Sequence, residues 1–283
     1  MGIKRAVRKI AKFILAAQPE SMVTVKISQI SYGQILQGKT IVVTGGATGL
    51  GFAIAKKCVS EGARVHLIGR DEKKLRNAVA AIGNCCTYTV HDVTKVNEAQ
   101  CLIEICSQQL GGKIDCFVNN AGISLHENIY SNVTVEGFDN QFNTNLRAAF
   151  FLAQAFLKFK VAHSDYNGQL LFISSEAGDQ CYDIPYGMTK ASINTLTRAL
   201  SRRVYRQGIR VNAIAPGVTA TDMTAEYVDI SDGNLSRDCA SGRIFLPEEV
   251  AEIACFILSD ATQCISGEII HTNGGNHLNP FWE

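Results

Sequence analysis

The sequence carries almost no net charge: 27 lysines and arginines face 26 aspartates and glutamates, leaving +1. A chain so balanced, with a pI near 7.5, has no global field to recruit nucleic acid or to gather acidic substrates, so any basic function is local. It has no apolar run of the roughly 18 residues that a bilayer span requires, and its first residues lack the cleavage pattern of a signal peptide. Nor is there a CxxC pair or a Cys/His cluster, so no metal site is expected. The ten cysteines are scattered, Cys85 and Cys86 adjacent and Cys101 and Cys106 helix-spaced, in a chain of 283 residues too large to need disulfide staples. We read them as reduced, mostly buried thiols of a cytoplasmic protein, because free cysteine behaves as a small apolar residue.

What is present is enough apolar material for one large domain. With 46% hydrophobic and 19% charged residues, the chain can bury a single sheet-centred core. Residues 1–36 form an extension. Within it, Lys4, Arg5, Arg8, Lys9 and Lys12 precede any acidic residue, while Ile3, Val7, Ile10 and Ile14 recur at helical spacing. This pattern predicts a basic amphipathic helix, read either as an in-plane anchor on an anionic membrane surface or as a helix packed on its own domain or a partner. "MVTVKISQI" then reads as extended, and Gly38 marks the entrance to the main domain, residues 37–283.

From "KTIVVTGG" onward, short apolar runs alternate with amphipathic stretches. "RVHLIG", "CTYTVHDV", "IDCFVNNAG", "GQLLFISS", "IRVNAIAPG" and "GEIIHTNGG" complete a set of about seven strands, and "GFAIAKKCVSEG", "NEAQCLIEICSQQL" and "PEEVAEIACFILSD" are helices between them. Alternation of this kind predicts an α/β, Rossmann-type doubly wound parallel sheet flanked by helices on both faces. Ligands in such folds bind beyond the carboxyl ends of the strands.

The first such end is "TGGATGLG", with Thr44, Gly45, Thr48, Gly49, Leu50 and Gly51 between strand and helix. Glycines let the backbone approach a phosphate, and the helix N-terminus offers free N–H groups and a positive dipole end. The spacing is not GxGxxG, so the strand-turn-helix context carries the nucleotide reading. At the end of the second strand, "HLIGRDEKKL" has Gly69 where a carboxylate would meet the ribose hydroxyl of NAD, followed by Arg70, Lys73 and Lys74. That favours the 2′-phosphate of NADP(H) over NAD(H); the alternative is a solvated helix start in which Asp71 and Glu72 serve the dipole.

Taken together, these segments with "HDV", "NNAG", "NTNL", "SSEAG", "YGMTK" and "APGVTATDM", in that order across about residues 37–277, resemble the classical short-chain dehydrogenase/reductase family. The resemblance implies that Asp92 and Val93 border the adenine and that Asn119, Ala121 and Gly122 line the middle of the cofactor. It likewise implies that Thr221, with the backbone of Val218 and Thr219 after Pro216 and Gly217, holds the nicotinamide carboxamide. Asn145, Ser175, Tyr186 and Lys190 then form a catalytic tetrad, with Tyr186 and Lys190 also touching the cofactor. Ser175 is preferred over Ser174 because Gly178 completes an SxxG pattern; it lies eleven residues before Tyr186, slightly closer than is usual in the family.

The chemistry of such a set is the transfer of a hydride between nicotinamide and a carbonyl or secondary alcohol. Tyr186 supplies the proton, but a free phenol has a pKa of about 10, far from neutral. Residues i and i+4 share a helix face, so Lys190 is expected to place its charge beside the phenol and lower that value. Ser175 would bond the substrate oxygen, and Asn145 would hold a water leading to Lys190, as the resemblance implies. His126 is placed at the pocket mouth without a chemical role, and residues 223–244 are expected to form a lid. The run at 145–162 is apolar around most of its circumference and predicts a subunit interface in a homodimer or homotetramer. The leading function is an NADP(H)-dependent reductase of 3-oxoacyl type. A sugar- or polyol-type reductase of envelope or polysaccharide metabolism, cytoplasmic but peripheral at the inner membrane surface through residues 1–15, is the alternative, and a non-catalytic NADPH sensor belongs to another class.

Overall fold

A computed structural model describes residues 33–180, 182–225 and 239–278. The expected amphipathic helix and most of the expected lid lie outside the described residues. In chain order the elements are β1 (Thr40–Thr44), α1 (Gly49–Ser60), β2 (Arg64–Gly69), α2 (Glu72–Ile82), β3 (Cys86–Val90), α3 (Ala99–Gln109) and β4 (Cys116–Asn119). They continue with α4 (Val135–Gln141), a π-helical turn at Phe142–Arg147, α5 (Ala148–Ala162), β5 (Gly168–Ile173), α6 (Pro185–Val204), β6 (Ile209–Pro216), α7 (Pro247–Leu258) and β7 (Ile269–Thr272). Seven strands pair in the order β3-β2-β1-β4-β5-β6-β7, all parallel. All seven strands read from the sequence are present in one sheet.

The strands are apolar on both sides because both sides are covered. β1, β5 and β6 are buried along their whole length. Side chains alternate between faces: Ile41, Val43, Val65 and Leu67 pack against α1 and α7, where Ile54, Cys58, Val250 and Ala254 are buried. Val42, Phe117, Leu170 and Phe172 enter the opposite layer, with Leu102 of α3, Phe156 and Phe159 of α5 and Ile193 of α6. Two apolar layers of this kind clamp a parallel sheet, and burial at about 25 cal/mol per Å² is the main favourable term in its stability.

Within the first layer α1 meets the turn after β1 at backbone distance. A Cβ on Gly51 would lie 2.3 Å from the carbonyl oxygen of Gly45 and 2.5 Å from Asn120 Nδ2. Gly45 and Gly49 hold φ of 63° and 54°, values that favour glycine. α6 begins one residue before Tyr186, with Pro185 at its first helical position and Ile184 as the cap; there the ring's fixed φ suits the helix and its missing N–H costs nothing. The nine described cysteines are all free thiols, and no helix among the described residues is long and apolar enough to cross a membrane.

Gly51→Ala should lower the unfolding free energy by roughly 1–3 kcal/mol, as overpacking does, and weaken dinucleotide binding, because the only relief is a shift of the β1–α1 turn. Urea unfolding and dinucleotide fluorescence titration of the same preparation test both; an unchanged midpoint with unchanged binding would show that the contact is not tight.

Candidate active site

Strand order reverses between β1 and β4, and the crevice opens there, beyond the carboxyl ends of the strands. Thr44, the last residue of β1, stitches the two edges together. Its hydroxyl accepts the N–H groups of Asn120 and Ala121, both at 3.0 Å, and donates to Val118 O at 3.4 Å. Asn120 returns its amide to Thr44 O and Gly45 O at 3.0 and 3.1 Å. The resulting crevice holds about 380 Å³ and runs from Arg70 to Tyr186.

Along its floor the turn after β1 presents Gly45, Thr48, Gly49 and Leu50. Thr48 caps α1 by position only: its side chain makes no cap bond, and the first turn holds no acidic residue. The first N–H donors of a twelve-residue helix are thus left without a side-chain acceptor, which fits a ligand phosphate. α2 differs. Asp71 accepts from Lys74 N at 3.0 Å and Glu72 follows in the first turn, so that helix end is already served, and the exposed Arg70 and Lys74 line the crevice beside it.

At the same end, Asp92 accepts from the N–H and hydroxyl of Thr94 at 3.0 and 2.8 Å. Burial alone would raise its carboxyl, but those bonds and the charge of Arg70 hold it below the usual value. Val93 and His91 lie beside it on the wall. In the middle, Ala121 and Gly122 line the crevice, but Asn119 does not: it is buried and donates to Ala149 O at 2.9 Å, fastening α5 to β4. Thr44 and Gly51 likewise stand behind the wall, as stitch and as clearance. Of the residues after β6, Pro216, Gly217, Thr219 and Thr221 face the crevice, while Val218 instead accepts the N–H of Phe245 at 2.9 Å.

At the far end β5 and α6 bring Ser175, Tyr186 and Lys190 together on one wall. The neighbour Ser174 is buried and donates to Asn194 Oδ1 at 2.6 Å. Ser175 instead caps the short turn Glu176–Gly178, accepting Ala177 N at 3.2 Å, beside the Tyr186 phenol. Burial pushes the Tyr186 phenol above its ordinary value, and the neighbouring Ser175 hydroxyl only partly opposes this. Lys190 Nζ donates to Ile173 O at 2.9 Å and stands 5.6 Å from the centre of the tyrosine ring. Burial lowers the lysine to about 8. The expected lowering of the phenol by the lysine is therefore not seen, because the ammonium is committed to a backbone carbonyl and is itself depressed by burial.

Asn145 lies in the π-helical turn, a device that re-aims side chains and recurs at functional sites. Its Oδ1 accepts Ile123 N at 2.8 Å, and its Nδ2 donates to Ile123 O at 2.8 Å and to Thr189 Oγ1 at 3.2 Å. Both amide hydrogens are committed, so a water shared with Lys190 would find its side-chain partner in the second lone pair of Oδ1. A Cβ on Gly122 would lie 3.3 Å from Asn145 Oδ1 and 3.7 Å from Lys190 Nζ, which places all three at one point. His126 is off the crevice wall, at φ 56° with Nδ1 3.4 Å from Ser124 Oγ.

Comparison with known proteins gives the family. The Enoyl-(Acyl carrier protein) reductase family matches residues 45–277. A tropinone reductase homolog of Arabidopsis thaliana is 33% identical over 253 residues, spanning 87% of this chain and 96% of its own. The chain belongs to the short-chain dehydrogenase/reductase family. Levodione reductase superposes with a TM-score of 0.79 at 26% identity, covering 86% of this chain and 99% of that one. A 3-ketoacyl-(acyl-carrier-protein) reductase from Brucella melitensis, solved with NADH, gives the same TM-score at 24% identity, over 86% and 100% of the two chains; at that identity the likeness is one of fold.

As a short-chain dehydrogenase/reductase, the protein is an NAD(P)-dependent oxidoreductase. A nicotinamide bound in the crevice would supply the hydride, and the glycine turn, the uncapped α1 and the walls at Asp92, Ala121 and Thr221 would hold it. Wall residues that the sequence reading did not single out include Ala47, Asn120, Ile123, Thr144 and Asp222. Asn120 stood inside the quoted "NNAG", but nothing in a single sequence distinguishes the asparagine that turns to the crevice from the one that turns to the core.

Because the folded protein holds Lys190 near 8 against 10.5 when free, its unfolded state binds more protons between those values, so the lysine's contribution to stability rises with pH there. Wild type should gain on Lys190→Met by up to about 3 kcal/mol between pH 7.5 and pH 10. Urea unfolding at both pH values measures it, and a constant difference would show that the buried lysine is not depressed.

Proposed function

We propose that the enzyme is an NADP(H)-dependent carbonyl reductase acting on a compact, largely apolar ketone. The observation that carries the reading is the meeting of Ser175 and Tyr186 on the crevice wall with Lys190 behind them. In this reading Ser175 bonds the substrate oxygen and Tyr186 delivers the proton to it, while Lys190 stands behind the ring, held on Ile173 O. Asn145 fixes Ile123, the apolar residue of the wall after Gly122.

Ile123 and Met223, both on the crevice wall, favour an apolar substrate body. The 3-oxoacyl thioesters suggested by the sequence fit that description, as do the cyclic ketones that the names of the tropinone and levodione reductases bring to mind. For the cofactor, the exposed Arg70 and Lys74, with no carboxylate at Gly69, support a 2′-phosphate. The assembly reading rests on a groove lined by Phe142, Leu146, Phe150 and Phe151, with Phe150 still 42% exposed in the single chain. A second copy covering it would give a symmetric dimer or tetramer. We place the enzyme in the cytoplasm, with the basic residues 1–15 meeting an anionic membrane surface; flotation of the full chain on anionic vesicles tests that placement.

Tyr186→Phe should lower ketone-dependent NADPH oxidation by about 10²- to 10⁴-fold, assayed with acetoacetyl thioesters and with small cyclic ketones; equal rates in the two proteins would remove the proton-donor role. Arg70→Glu should raise the KM for NADPH about 10- to 100-fold while leaving NADH nearly unaffected, and a parallel loss with both cofactors would argue against 2′-phosphate recognition. Phe150→Glu should reduce the mass seen by light scattering to that of one chain.

A further inference from the structure

The turn that carries Ser175 is held by an acidic residue with no role in the reading above. Glu176 is buried, and its Oε2 accepts two side-chain amides of the C-terminal loop, Asn273 Nδ2 at 3.0 Å and Asn276 Nδ2 at 3.1 Å. Neither amide is a loose partner. Asn273 is buried and its Oδ1 accepts Gly275 N at 3.1 Å and the His277 ring at 3.0 Å. Asn276 Oδ1 accepts Ala240 N at 3.0 Å, and its carbonyl accepts Gln180 Nε2 at 3.4 Å. The carboxylate thus joins three segments distant in sequence: the Ser175 turn, the loop after β7, and the chain at Ala240, just after residues 226–238.

The same hub abuts the crevice wall. A Cβ on Gly217 would lie 2.9 Å from Asn273 Cβ and 3.3 Å from Glu176 Oε2, so the chain leaving β6 runs directly over this contact. From the other side α6 and β7 hold the end of the turn: Asn194 Nδ2 donates to Asp179 Oδ2 at 3.1 Å, and His271 meets the same oxygen at 2.7 Å. On the Ser175 side, Ser174 is fixed to α6 through Asn194 Oδ1 at 2.6 Å, and Glu176 alone reaches from the turn to Asn273 and Asn276.

Resting on the reading of Ser175 and Tyr186 as the reacting pair, we propose that Glu176 is a positioning residue. It sets the height of Ser175 against Tyr186 and couples that height to the C-terminal loop and to the chain at Ala240. Reaction geometry is sensitive to this, since a misplacement of about 1 Å can cost on the order of 10²-fold in rate. The tether requires an acceptor oxygen at the Oε2 position, because both amides converge on one atom and an oxygen accepts two bonds.

Two variants of the full-length chain separate the possibilities. Glu176→Ala should lower kcat on the order of 10²-fold with the NADPH dissociation constant unchanged, whereas Glu176→Gln, which keeps an acceptor oxygen, should stay close to wild type. A Glu176→Ala enzyme with undiminished kcat, or a Glu176→Gln enzyme as impaired as Glu176→Ala, overturns the proposal. If Glu176→Ala does not fold, Asn276→Ala removes half of the tether and should show a smaller loss in the same direction; an unchanged kcat there is an adverse result. A second readout needs no substrate. Amide hydrogen exchange of the NADPH-bound chain should rise in Glu176→Ala, relative to wild type, at both Ser175–Gly178 and Ala240–Gly242. A rise at both segments in a protein that reduces no ketone would leave the tether standing and remove the catalytic reading, and exchange unchanged at both would remove the tether itself.

Discussion

One hydroxyl group closes the structure at its most exposed topological point. Where a doubly wound sheet reverses direction, two parallel strands leave the sheet side by side and their chains diverge, and nothing in the ladder holds the gap at a fixed width. Thr44 Oγ1 bridges it, accepting two N–H groups from the chain after β4, and Asn120 answers with its amide across to Thr44 and Gly45. Everything along the crevice refers to this stitch. It sets the turn that presents Gly45 and Gly49, the close approach of Gly51 to Gly45 O, and the path of Ala121 and Gly122 toward Lys190. Buried and committed on every side, Thr44 shapes a binding site that it does not touch.

At the other end of the crevice the controlling physics is desolvation. Tyr186 and Lys190 are both shifted by burial, in opposite directions, toward their neutral forms. Each therefore holds a proton inventory that a modest change in surroundings can redistribute, which is the condition a general acid needs. The neighbouring polar groups are spent on geometry. Ser174 anchors α6 through Asn194, and Asn145 holds Ile123 by both ends of its amide. The hydroxyls of Ser175 and Tyr186 are thereby set apart on the crevice wall among groups committed to structural bonds.

How much of this a sequence discloses follows from what its patterns encode. The strands were legible because parallel strands covered on both faces must be apolar at nearly every position, and "IRVNAIAP" or "GQLLFI" admits few other readings. The order of motifs located the crevice and three residues of its far wall, Ser175, Tyr186 and Lys190. What stayed hidden was direction. Thr44, Asn119 and Gly51 belong to the same short segments as residues that face the ligand space, but the first two turn inward and the third serves as clearance; sequence adjacency carries no information about which way a side chain points. The lysine-phenol relation failed for a related reason. The four-residue step correctly puts the pair on one helix face, but the acidity of the phenol depends on burial and on Ile173 O, a carbonyl from another strand. Glu176 was quoted in "SSEAG" without a role, since its partners Asn273 and Asn276 lie about a hundred residues further on.

The two helices that open toward the crevice end differently: α2 is closed by its own aspartate, while α1 offers its first N–H groups to whatever anion arrives. A fold completed by a diffusible metabolite has a lifetime that follows the supply of that metabolite. Ligand binding to the native state alone stabilises it by RT ln(1 + [L]/Kd), and in a cell a difference of 1–2 kcal/mol changes abundance several-fold through proteolysis of the unfolded fraction. With a nucleotide phosphate held at the open start of α1, the amount of this protein, as well as its rate, would follow the nucleotide pool around it.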